Sequence, residues 1–166
     1  MPGAELVLFE EDYTSINEIL ATLVRETNSK FALLVDRSGQ LVSSQGDTEN
    51  MDSLSFASLS AGNYAATSEL SRILGQEEFS VLFHQGTTES IHLSIVAKRV
   101  ILVVVFDNKT TLGLVRLRVK KAVEELSAIF NRIFQKVAER GGEVPSPLGD
   151  TFSSVAESEI DNLFKD

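Results

Sequence analysis

Few residues in this 166-residue chain have the type and spacing that chemistry requires. His84 and His92 are the first candidates, because they fall on what read as adjacent strands of one hairpin. A zinc site would need a third ligand and an outer partner to orient each imidazole. Neither is evident, so both are read as ordinary sheet histidines and no metal is expected. Asp36 and Asp107 each follow an apolar strand. A carboxylate there can act as a base or bind a cation, but more often it accepts a backbone N–H and starts a turn, and that reading is adopted. Arg116, Arg118, Lys120 and Lys121 form the dense basic patch of the chain. An arginine placed this way could enter a partner's nucleotide site and neutralise transition-state charge. The favoured reading is a solvated face that offsets the acidity elsewhere. The phosphate-cradling pattern G-x-x-x-x-G-K-S/T and the nucleophile elbow G-x-S-x-G are both absent from the sequence, which argues against nucleotide binding and serine hydrolysis by this chain. Cysteine is absent too, which removes thiolate nucleophiles, thiolate metal sites and disulfides. No catalytic residue and no cofactor is expected, and the chain is not read as an enzyme.

Composition narrows the partners. The formal net charge is -9 and the pI about 4.7, so nucleic acid and anionic lipid would repel the chain. The longest apolar run, Val100 to Phe106, is of strand length, well short of the roughly 18 residues of a membrane span. Residues 1–12 hold Glu5, Glu10, Glu11 and Asp12 without Lys or Arg, unlike the basic start of a signal peptide. A cytoplasmic protein is expected.

The elements that would position these residues follow from periodicity. Ile16, Ile19, Leu20, Leu23 and Val24 recur at helical spacing and predict a helix from about Asp12 to Asn28, capped by Asp12 or Thr14. Phe31 to Val35, the turn Asp36-Arg37-Ser38-Gly39 and Leu41-Val42 predict a hairpin with positive φ at Gly39. Gly46 to Asn50 reads as loop. A second helix is expected from a cap at Asp52 or Ser53 to Leu74, stopped by Gly75. Ala57, Ala61 and Ala65 lie at i, i+4 and i+8 on this helix, a row of small side chains expected to meet a second chain. Leu59, Ala66, Leu70, Ile73 and Leu74 form the stripe expected to dock on the sheet. Gly62, inside the helix, suggests close approach by a neighbour. Strands are expected at Phe79–Gln85, Glu89–Val96 and Val100–Phe106. In the middle one, Ile91, Leu93 and Ile95 alternate with Ser90, His92 and Ser94, which predicts one covered and one more polar face. The last is apolar on both faces and should be central. A third helix should start at Thr110 or Thr111 and run to about Glu139, with Lys120–Glu124 and Lys121–Glu125 pairs on its wet side. Tight turns between successive strands imply antiparallel pairing. The fold class is therefore α+β, an αββαβββα sandwich with one five-stranded antiparallel sheet.

Residues 1–140 are read as this domain. Residues 141–150, with Gly141, Gly142, Pro145, Pro147 and Gly149, are read as a flexible linker. Residues 151–166 are read as an amphipathic tail: Phe152, Val155, Ala156, Ile160, Leu163 and Phe164 share one side, and Glu157, Glu159 and Asp161 the other.

The element order resembles the Roadblock/LC7 family. Within it, the likeness is to bacterial members that partner the Ras-like GTPase MglA. It is carried by Leu34-Val35-Asp36, Gly39-Gln40-Leu41, Ala57-Ser58-Leu59, Ala61-Gly62-Asn63, Phe106-Asp107-Asn108, the run from Leu112 to Arg118, and the tail stretch Ile160-Asp161-Asn162-Leu163-Phe164. The likeness spans nearly the whole chain except the linker, and its specificity lies in the joint match. The resemblance implies a homodimer whose paired second helices form a platform for one small GTPase, with Ala57, Leu59 and Gly62 at the dimer contact. It implies Ala61, Ala65, Ala66, Glu69, Leu70 and Ile73 as platform residues, and Ile160, Leu163 and Phe164 as tail anchors on the GTPase. It further implies GTPase activation without a donated arginine, nucleotide-exchange stimulation by the tail, and a role in bacterial polarity or motility, with concentration at a cell pole. The rival reading is a scaffold dimer of the same fold that leaves GTP hydrolysis untouched.

Overall fold

A strand that is apolar without interruption from Val100 to Phe106 must be covered on both faces, and the fold is built around it. The structure is a computed structural model that describes residues 3–139. The chain runs α1 (Gly3–Thr27), β1 (Phe31–Asp36), β2 (Leu41–Gly46), α2 (Ser53–Ile73), β3 (Val81–Gln85), β4 (Glu89–Val96), β5 (Val100–Asp107) and α3 (Leu112–Glu139). The strands form one sheet in the order β2-β1-β5-β4-β3, and every neighbouring pair is antiparallel. The α+β sandwich is as expected, with the apolar β5 at the centre of the sheet.

The core has two halves. On one face, α1 and α3 bury Leu20, Leu126 and Phe130 against Ala32, Leu34, Leu102 and Val104. On the other, α2 lies against Leu33, Val35, Ile101 and Val103. Alternate residues of β1 and β5 therefore feed alternate halves, as the period-two geometry of a strand requires. The Asp36–Gly39 turn forms as read. The Asp36 Oδ1 accepts the Ser38 N–H at 2.8 Å, and Gly39 has φ +97°. A β-carbon at Gly39 would sit 3.2 Å from the Ser58 Cα, so this turn also sets how closely the hairpin approaches α2.

Three expectations need correction. The first helix begins at Gly3, not Asp12. No Gly or Pro interrupts residues 4–27, so helical propensity carries the helix through the acidic start. Asp12 and Thr14 are thus interior: Thr14 donates to the Glu10 carbonyl at 2.9 Å, and Asp12 accepts from Arg132 of α3 at 3.2 Å. Second, β2 continues to Gly46 because Ser43, Ser44 and Gln45 stay paired with β1. Ser43 is buried and donates to Asn17 of α1, so its hydroxyl is satisfied inside the core. Third, the polar side of β4 is covered as well. His92 and Ser94 are buried and pair across to Val104 and Leu102, which places them beneath the α1–α3 layer. Among the described residues no helix is long and apolar enough to cross a membrane. The linker and tail readings lie outside the described residues.

Candidate protein docking face

α2 starts where Asp52 accepts hydrogen bonds from the Ser55 N–H at 3.1 Å and the Ser55 hydroxyl at 2.6 Å. These bonds hold the Asp52 carboxyl below the usual carboxylate range. The helix closes at Leu74, with Gly75 at φ +68° in the left-handed conformation that glycine favours.

Between those caps, the two faces are the reverse of the sequence reading. The buried positions are Ala57, Ser60, Ala61, Tyr64 and Ser71. The expected sheet-docking stripe points outward: Leu59 is 74% exposed, Leu70 58% and Ile73 70%, with Leu74 and Ala66 exposed beside them. The sheet explains the inversion. Its α2-facing side is already filled by large residues, Leu33, Val35, Ile101 and Val103, so the helix can close on it only through small side chains. Ala57 and Ala61 supply that closeness, and Tyr64 fills the far end. Of the alanine row, Ala65 alone is exposed.

Tyr64 ties the C-terminal half of α2 to its surroundings. Its hydroxyl donates to the Phe79 carbonyl, and burial, helped by the Glu78 charge, pushes its pKa up to about 12. The Arg37 guanidinium lies 5.8 Å from the ring centroid and donates to both Glu78 carboxylate oxygens at 2.5 and 2.6 Å. Ser68 donates to the same carboxylate at 2.5 Å. Burial alone would raise the Glu78 pKa, but these hydrogen bonds and the Arg37 charge outweigh it and hold the carboxyl low. Sequence reasoning missed this group. Its signal was Tyr64 three residues beyond Ala61, continuing the Ala57–Ala61 side of the helix.

The solvent face of α2 is therefore a ridge of Leu59, Ala66, Leu70 and Ile73. Gly62 sits on it with nothing within 4 Å of where its β-carbon would be. No element among the described residues approaches Gly62, so the close neighbour expected there is not found within them. Glu69 is exposed and already paired: the Arg72 Nε donates to it at 2.8 Å. Large alkyl groups exposed side by side on one helix mark an interaction surface.

The other candidates are dispersed. His84 and His92 lie on opposite sheet faces, since Phe83 pairs with His92 and His84 with Ile91. His84 Nε2 is 2.9 Å from Asn63 Nδ2 of α2. His92 is buried 3.3 Å from the Ser94 hydroxyl, and burial with the nearby Arg116 charge lowers its pKa. Asp36 and Asp107 each accept a backbone N–H in a turn, from Ser38 at 2.8 Å and Lys109 at 2.9 Å. Arg116, Arg118, Lys120 and Lys121 lie on α3, across the sheet from α2, and Arg118 pairs with Glu26 at 3.5 Å. Among the described residues no group of three or more His, Cys, Asp or Glu is placed to hold a metal ion. Ile160, Leu163 and Phe164 lie outside the described residues.

No curated protein matches the chain by sequence. Solved structures do match. Myxococcus xanthus MglB is 50% identical, with a TM-score of 0.72 over 74% of this chain and 92% of its own. The gliding protein MglB of Thermus thermophilus is 33% identical, with a TM-score of 0.69 over 72% of this chain and 91% of its own. An MglB described in a tetrameric arrangement is also 33% identical, with a TM-score of 0.68 over 72% and 90%. The family model for the Roadblock/LC7 domain matches residues 15–106, from within α1 to the end of the central strand. On this match, with the fold and the MglB likeness behind it, the chain belongs to the Roadblock/LC7 family.

Proposed function

We propose that this chain is a homodimeric, non-enzymatic activator of GTP hydrolysis by an MglA-like Ras-type GTPase, two copies serving one GTPase, in the cytoplasm of a bacterium and in polarity or motility. The observation that carries the reading is the apolar ridge on the outward face of α2. A monomer gains nothing from exposing Leu59, Leu70 and Ile73, whereas two copies with α2 beside α2 would cover part of the ridge and leave the rest as one joint platform. Leu59 and Gly62 are assigned to the contact between copies. Ala65, Ala66, Glu69, Leu70 and Ile73 are assigned to the GTPase. Ala57 and Ala61, buried against the sheet, support the platform from beneath.

Positioning and electrostatic alignment supply most of phosphoryl-transfer catalysis. A platform that holds the GTPase's own groups in line needs no reactive side chain of its own. Placement of Arg116 and Arg118 across the sheet from α2 supports activation without an arginine finger. Ile160, Leu163 and Phe164 are assigned to a second contact on the GTPase that promotes nucleotide exchange.

Timing phosphate release from the GTP-loaded GTPase, alone and with saturating amounts of this chain, tests the reading. Acceleration that survives Arg116→Ala with Arg118→Ala supports it. Binding without acceleration identifies the scaffold dimer instead.

A further inference from the structure

Between α2, the start of β5 and the turn that joins β1 to β2 lies a cavity of about 250 Å3, lined by Arg37, Ala61, Tyr64, Ala65, Ser68 and Ile101. Ala61, Tyr64 and Ile101 are buried and give it an apolar lining. Ala65 is exposed and belongs to the surface assigned above to the GTPase, so cavity and surface share a residue. Arg37 is the single charged residue of the lining, and it is held from two directions. Its Nη2 donates to both Glu78 oxygens at 2.5 and 2.6 Å, and its Cζ lies 5.8 Å from the Tyr64 ring centroid, within reach of cation–π attraction. A guanidinium carries five N–H donors on three nitrogens. Among the described residues no side-chain hydrogen bond engages those on Nε and Nη1, and the side chain is 42% exposed. Glu78, which accepts from Ser68 as well, does not line the cavity. The lining therefore offers one fixed cation with free donors and no anion.

We infer that this cavity is a socket for one carboxylate side chain, Asp or Glu, of the GTPase that docks on α2. The inference rests on that docking and deepens it. A cation without a lining anion selects a carboxylate over an ammonium or a guanidinium. The apolar lining selects a side chain over a free inorganic anion, because Ala61, Ile101 and the Tyr64 ring offer packing to the methylene stem. Arg72, the other cation on the C-terminal half of α2, already donates its Nε and Nη2 to Glu69, which leaves Arg37 as the group with donors to spare. Arg37 is a positioning residue. Held between Glu78 and Tyr64, it receives a group brought to it and does not extend into a nucleotide site. Its contact sets how tightly and in what orientation the GTPase seats on Ala65, and it leaves transition-state charge to the GTPase.

Nitrogen-15-labelled full-length chain, titrated with the unlabelled GTP-loaded GTPase, tests this by magnetic resonance. The guanidinium N–H signals of Arg37, assigned by their loss in Arg37→Gln, should move downfield together with the amides of Ala65 and Ser68. Capture of the GTPase by Arg37→Gln should weaken roughly ten- to hundredfold, and Arg37→Lys, which restores the charge, should recover part of the loss. Maximal acceleration of GTP hydrolysis should persist in both, and thermal melts check that both fold. If the α2 amides shift while the Arg37 signals stay in place, the inference is overturned and the docking reading stands. If no α2 amide shifts at any GTPase concentration, both fall. A fall in maximal acceleration with capture unchanged overturns the inference, because Arg37 would then act on the transition state. Arg37 signals that move with the concentration of the chain alone overturn it too, since a second copy would then fill the socket.

Discussion

Ala61 and Ala65, one turn apart on α2, fall on opposite sides of the boundary between core and surface: Ala61 belongs to the cluster with Tyr64 and Ile101, and Ala65 faces solvent. The same substitution should therefore have two different consequences. Ala61→Arg forces a guanidinium into the helix–sheet contact and should cost about 3 kcal/mol or more. Ala65→Arg adds an exposed side chain and should stay within about 0.5 kcal/mol of the parent while weakening the proposed binding of the GTPase. Thermal melts at one fixed protein concentration, paired with binding measurements, check both. Full GTPase binding by Ala65→Arg would move the platform elsewhere.

Gly62 separates the monomer's interest from the dimer's. With nothing within 4 Å of an added β-carbon, Gly62→Ala relieves a helix-interior glycine and should stabilise an isolated copy by up to about 1 kcal/mol. If two α2 helices pack backbone to backbone at this position, the methyl group also pushes them apart, and the dimer constant should weaken. Sedimentation equilibrium of Gly62→Ala and Gly62→Leu reads the second effect. An unchanged constant in both places Gly62 outside the interface.

Much of this architecture was legible in residues, and the part that was not has a physical reason. Asp52 and Gly75 bound α2 because capping and left-handed closure are local interactions that sequence displays directly. The uninterrupted apolar run of β5 announced a central strand for the same reason. The orientation of α2 was not local. Judged by side-chain size, Leu59, Leu70 and Ile73 belong inside, and the buried set of Ser60, Ser71, Ala57, Ala61 and Tyr64 looks like surface. Only the bulk of Leu33, Val35, Ile101 and Val103 beneath the helix decides that small groups go in, and that is a property of packing between distant segments. The exposed side chains which misled the assignment, Leu59, Leu70 and Ile73, are the same ridge on which the proposed platform rests. His92 was misplaced for a related reason, since its burial depends on where α3 lies.

Burial of His92 should write itself into the pH dependence of stability. Its pKa is lowered from the ordinary 6.5, first by burial and then by the Arg116 charge, so the folded state holds fewer protons than the unfolded one just below that value. Stability is complete above pH 6.5 and declines as the pH falls from there toward the lowered folded value. Replacing the ring by an uncharged group, His92→Gln, should remove this slope while the slope from carboxylates at lower pH persists. Urea titrations between pH 7 and 5 on both proteins make the comparison. Parallel curves would mean that His92 is protonated without penalty.

The turn between β4 and β5 offers a gain in stability remote from any partner question. Arg99 donates its N–H to the Val96 carbonyl at 3.1 Å, and the two central residues have φ of 51° at Ala97 and 61° at Lys98. Both are left-handed, the geometry of a type I′ hairpin turn, which favours Asn-Gly because side chains with a β-carbon are strained there. Each such residue costs roughly 1–2 kcal/mol. The chain accepts the cost because the register joining Val96 to Val100 leaves little chain in which to reverse direction, and a right-handed turn would splay the strands. Ala97→Asn combined with Lys98→Gly should therefore raise stability by about 1–2 kcal/mol. Lys98→Gly also forfeits the favourable Lys98 charge near Glu78, which keeps the gain below the full sum. The urea midpoint should rise with an unchanged slope, the mark of a stability change without a change in exposed surface. A midpoint that stays put or falls would show that strand pairing on either side, and not the turn residues, sets the geometry at this corner.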